Sequence, residues 1–75
     1  MNYYRNLGKN SGIRAYQIAT NGLVVQFSDG SVYEYTYSSA GREAIDKMKI
    51  LAKQGLGLNS YINKKVRKLY SRRLK

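Results

Sequence analysis

Apolar and polar positions alternate with a period of two in the first half of the chain. Leu23, Val25 and Phe27 alternate with Val24 and Gln26, which puts three large apolar side chains on one face of a strand. Tyr33, Tyr35 and Tyr37 alternate with Val32, Glu34 and Thr36, a second such run. Ahead of both, Ile13 to Ile18 mixes apolar and polar residues, and its Ile and Tyr favour a pleated, half-buried surface, so it predicts a strand. Asn21-Gly22 predicts a type I′ turn, because both residues tolerate positive φ. Ser28-Asp29-Gly30 supplies the next turn. Two tight turns joining three runs predict a three-stranded antiparallel β-meander.

The period then lengthens to about 3.6 residues, the repeat of a helix. Ser38 or Ser39 is the expected N-cap, and Glu43 sits in the first turn, where it complements the helix dipole. Ala44, Ile45, Met48, Leu51 and Ala52 form the apolar stripe, and Gly55 is the expected C-cap. After the Gly55-Leu56-Gly57 link, a second helix is expected to start from Asn59 or Ser60, with Leu58, Tyr61, Ile62, Val66 and Leu69 on its buried face. The predicted fold class is therefore α+β, with the meander followed by two α-helices packed on one face of the sheet. Residues 1–10 read as an N-terminal arm, 11–70 as a single domain and 71–75 as a basic C-terminal tail.

The order Ile13, Leu23-x-Val25-x-Phe27, Gly30, Val32-Tyr33-x-Tyr35, a helix ending at Ala52, a glycine link and Tyr61-Ile62-Asn63-x-x-Val66-Arg67 resembles the KTSC domain. This small family is named from the C-terminus of some lysyl-tRNA synthetases. The resemblance spans about residues 11 to 70, and its most specific pieces are Tyr33-x-Tyr35 and the Tyr61 to Arg67 run. Ser38-Ser39 stands where many members have Val-Pro, and the link between the helices is longer here. What the resemblance implies is a compact α+β module, with RNA as the suggested ligand by association with a synthetase.

Charge sharpens the functional reading. The 75 residues hold 14 Lys and Arg against 4 Asp and Glu, a formal net charge of +10. Lys64, Lys65, Arg67, Lys68, Arg72, Arg73 and Lys75, half of the basic residues, fall in the last 12 positions with no acid among them. Helix-dipole compensation uses one or two cations, and like charges four apart, such as Lys64 and Lys68, oppose the helix. A block of this kind meets phosphate through counterion release. If about six phosphates are neutralised, log K falls with log salt at a slope of about −4 to −5.

Lys64, Lys65, Arg67, Lys68, Arg72 and Arg73 are accordingly the candidate phosphate contacts of a nucleic-acid-binding module with little sequence selectivity. Asn63, four residues before Arg67, projects from the same side of the helix as Arg67. Tyr16, with Tyr3 and Tyr4, is expected at the surface, where Tyr16 would stack on a base. Tyr33 and Tyr35 read either as core or as a stacking platform, because periodicity does not separate the two. RNA or single-stranded DNA is the expected partner, with RNA favoured by the resemblance. The alternative is a small protein-interaction module, such as a phage or mobile-element accessory protein, docking on an acidic protein surface.

Other classes are disfavoured. No apolar run approaches the roughly 20 residues of a membrane span, and Met1 to Asn10 lacks an apolar signal core. The absence of Cys removes disulfides and thiolate metal sites, so a cytoplasmic protein is expected. With no His and no Cys, Asp29, Glu34, Glu43 and Asp46 offer no acid–base pair or two-carboxylate metal site, so neither catalysis nor a cofactor is expected. A monomer or weak dimer is expected, since an unpaired sheet edge leaves strand addition open.

Overall fold

Leu23 pairs with Tyr35 and Val25 with Tyr33, so the apolar runs of the second and third expected strands share one face of the sheet. That register is the centre of a computed structural model that describes residues 1–7 and 12–75. Five antiparallel strands lie in sequential order: β1 Asn2–Tyr3, β2 Ile13–Ala19, β3 Gly22–Phe27, β4 Val32–Thr36 and β5 Arg72–Arg73. Helices α1 Tyr37–Ala40, α2 Arg42–Gln54 and α3 Leu58–Tyr61 follow β4, and α3 continues into a π-helical turn, Ile62–Val66. The α+β class and the three expected strands are present. Two short strands flank them, and the helical half is divided more finely than two helices.

The core lies between the sheet and the helices. Leu23, Val25 and Tyr35 from the sheet meet Ile45, Met48 and Ala52 of α2 and Leu58, Ile62 and Val66 of the last helix. Tyr35 is thus a core residue. Burying these side chains is the main stabilising term in a domain of this size.

Several expectations are corrected. Asn21-Gly22 does not form a type I′ turn: neither residue has positive φ, and Gly22 already pairs with Ala19. Glycine is required at position 22 for a different reason, since a Cβ there would overlap the Tyr35 carbonyl oxygen. Tyr37 leaves the strand and opens α1. Thr36, in place of Ser38 or Ser39, is the cap of that turn, with Ser39 completing a reciprocal capping box at 3.0 and 3.1 Å. Gly41, with φ 91°, ends this turn and starts α2. Gly55 is the left-handed C-cap of α2 as expected, whereas the last helix begins from Gly57 and not from Asn59 or Ser60.

Both chain ends depart from the expected arm and tail. β1 pairs with β2, and Tyr4 is buried in the core, so the surface placement expected for Tyr4 is overturned. Tyr3 is exposed as expected. Residues 8–11, Gly8 among them, lie outside the described residues. Arg72 and Arg73 form β5 along the β4 edge, opposite Glu34 and Tyr33 respectively. Leu69 is exposed, because the helix ends soon after Val66 and the chain turns back to the sheet. The expected free edges of the meander are partnered by β1 and β5. Among the described residues no helix is long and apolar enough to cross a membrane.

Candidate nucleic-acid interface

The return of the chain from the π-helical turn to the sheet creates a cleft of about 530 Å³. Its walls come from three places. Phe27, Ser28, Asp29 and Ser31 contribute the β3–β4 turn, Tyr33 and Tyr35 the sheet floor, and Ile62, Asn63, Arg67, Lys68 and Tyr70 the helix and the chain that leaves it. A π-helical turn widens the helix by one residue per hydrogen bond, and such turns recur at functional sites. Here it precedes Arg67 and Lys68, so both basic side chains and Asn63 open on the same space.

Aromatic rings line the inner side. Tyr33 and Tyr70 stand edge to face with centroids 4.7 Å apart, and Phe27 meets Tyr33 at 5.7 Å. Tyr70 also contacts Tyr35, at 6.4 Å. The register of β5 sets the Arg73 guanidinium over the Tyr33 ring, 5.5 Å from its centroid. Tyr33 therefore has one side toward the core and the other toward cations. Tyr70 is 39 % exposed and presents ring surface to solvent beside Lys68.

Two ionisable groups of the cleft are displaced from their ordinary values. Asp29 accepts from the Ser31 hydroxyl at 2.6 Å and the Ser31 N–H at 2.9 Å. These hydrogen bonds, the hydroxyl's first, hold its carboxyl below the usual aspartate value, and nearby Arg73 adds to the effect. The Tyr35 hydroxyl moves the other way, pushed up to about 12 by burial and then by its neighbours Tyr33 and Tyr70. At neutral pH the cleft thus holds a carboxylate and an un-ionised phenol.

The expected contact residues are dispersed over the fold. Asn63, Arg67 and Lys68 line the cleft, and Arg73 borders it through Tyr33. Lys65 faces a separate groove with Glu43, Asp46, Lys47, Ile50 and Tyr61. Lys64 is exposed and lines neither space. Arg72, expected to lack an acidic partner, pairs with Glu34 at 3.1 Å, and Ser71 donates to the same carboxylate oxygen at 2.9 Å.

Tyr16 is half-buried and packs against the core, which corrects its expected surface role. The cause is a bulge in β2: Ile13 opposes Phe27, Ala15 opposes Gln26 and Tyr16 opposes Val25, so the alternation slips by one residue and Tyr16 turns to the helix side. Among the cleft residues to which sequence reasoning gave no binding role are Tyr70, Phe27 and Asp29. Tyr70 follows Arg67-Lys68-Leu69, and that interleaving of cations with an aromatic was its available signal.

Comparison of the chain with protein-family models, curated proteins and solved structures gives no match.

Proposed function

We propose that this protein binds single-stranded nucleic acid, with RNA preferred, through the cleft between its last helix and the β3–β4 turn. One observation carries the reading: the edge-to-face pair Tyr33–Tyr70 is bordered by Arg67, Lys68 and Arg73. Ring surface next to cations is what an unpaired nucleotide needs. The base stacks on an aromatic face while the phosphate meets Lys or Arg, and each stacked base contributes about 1–3 kcal/mol. A duplex keeps its bases stacked internally and has no face to offer such a cleft. Membership of the KTSC family is part of the same proposal and rests on the Tyr33-x-Tyr35 and Tyr61 to Arg67 motifs, and the preference for RNA rests on that family's association with a synthetase.

Docking on an acidic protein surface is the weaker reading. Lys65 shares its groove with Glu43 and Asp46, and those acids oppose an acidic partner there.

Fluorescence anisotropy at about 50 mM salt, with labelled single-stranded RNA, single-stranded DNA and duplex, tests the proposal. Single strands should bind more tightly than duplex, and Arg67→Ala with Lys68→Ala should weaken them. Equal or absent binding of all three polymers would overturn it.

A further inference from the structure

An acid stands where a site for polyanions should have none. Of the chain's four acidic residues, Asp29 is the one that lines the cleft, together with Asn63, Arg67, Lys68 and the aromatic rings. It is ionised at neutral pH, as an aspartate ordinarily is, and the Ser31 hydrogen bonds favour that charged form further. A carboxylate there repels phosphate, and the base edge is the part of a nucleotide it can meet favourably.

The turn also fixes how Asp29 is presented. Its Oδ1 accepts both Ser31 bonds, at 2.6 and 2.9 Å, and these orient the carboxylate at the cleft wall. Among the four bases, guanine alone has two adjacent N–H donors, N1–H and the N2 amino group, on its Watson–Crick edge. Adenine and cytosine each have one amino group beside an acceptor nitrogen, and uracil has one N–H between two carbonyls that a carboxylate repels. Asn63 adds an amide, whose NH2 is a donor suited to the guanine O6. The cleft volume of about 530 Å³ lies within the roughly 300–1,000 Å³ of small-ligand sites, enough for one nucleotide.

We infer that the cleft selects guanine, with Asp29 accepting from the base edge while the exposed Tyr70 ring, braced by Tyr33, stacks on the base. This inference rests on the nucleic-acid reading above and adds base selectivity to it. Selectivity then comes from the acid, and affinity from the cations and rings.

The test uses the full chain and four labelled RNA hexamers: all uridine, or uridine with a single central guanine, adenine or cytosine. The guanine hexamer should bind at least about tenfold more tightly than the other three, the discrimination of one good base-edge contact. Asp29→Asn, which keeps the side-chain acceptor that the turn uses, should abolish that preference. In that variant the guanine and all-uridine hexamers should bind with equal affinity. A purely structural role would instead weaken all four hexamers together, and that outcome overturns the inference. Equal affinities in the unaltered protein, or a guanine preference that survives Asp29→Asn, overturn it while leaving nucleic-acid binding intact. Failure of all four hexamers to bind overturns the nucleic-acid reading as well.

Discussion

The backbone N–H of Leu58 donates to the hydroxyl of Tyr4 at 3.2 Å, joining the N-terminal segment to the start of the last helix across 54 positions of sequence. Both residues are buried. The same segment is held again by the Leu7 N–H, which donates to the Gly55 carbonyl at 2.7 Å. The N-terminus thereby braces the link from which the cleft-bearing helix departs. Tyr4→Phe leaves the Leu58 N–H without its acceptor and should cost about 1–2 kcal/mol. Urea unfolding measures this directly; Tyr3→Phe, at a site 83 % exposed, should leave the midpoint unchanged.

Gly22 and Asn21 separate two explanations of the β2–β3 turn. Because a Cβ at position 22 would overlap the Tyr35 carbonyl, Gly22→Ala should destabilise the fold by about 1–3 kcal/mol. Asn21 has ordinary negative φ, so Asn21→Ala should stay within about 0.5 kcal/mol. Thermal melts of both variants check the pair, and a large loss at Asn21 would contradict the geometry.

Tyr70 is a sensitive probe of the interface. It is partly exposed and meets Tyr33 edge to face, so Tyr70→Ala should lower affinity for single-stranded RNA by about 1–3 kcal/mol while the fold is retained. The salt response should also be shallow. Arg67, Lys68 and Arg73 are the cations gathered at the cleft, and three phosphate contacts on a single strand correspond to a slope of about −2. A slope of about −4 to −5 would mean that Lys64, Lys65 and Arg72 engage as well.

Alkaline pH should weaken the fold through Tyr35. Its hydroxyl ionises near 12 in the folded protein against 10.0 ordinarily, so the unfolded chain releases its proton first as pH rises. The contribution is therefore complete below pH 10 and is lost between pH 10 and 12, at up to about 1.4 kcal/mol per pH unit. Denaturant unfolding across this range measures it, and Tyr35→Phe should flatten the decline.

The three central strands and the stripe of α2 were legible because each depends on periodicity alone. Leu23, Val25 and Tyr35 lie on one face and Ile45, Met48 and Ala52 on one side of a helix, whatever else the chain does. Gly55 was legible too, since a helix that ends in left-handed backbone favours glycine. Tyr16 was not, because a bulge one residue long inverts the alternation and carries no marked sequence signal. Nor was the division of the basic block. Lys65, Arg67 and Arg72 are close neighbours in sequence, yet they face a mixed-charge groove, the aromatic cleft and Glu34 respectively.

Local pattern therefore settles the α+β class, the sheet-facing residues and the concentration of positive charge near the C-terminus, all of which are properties of short stretches. The cleft is of another kind. It exists because β5 returns to β4 and brings Tyr70 onto Tyr33 and Arg73 over the same ring, contacts spanning nearly 40 positions. Such contacts depend on loop closure and packing between elements, and neither periodicity nor composition encodes where a chain end will dock.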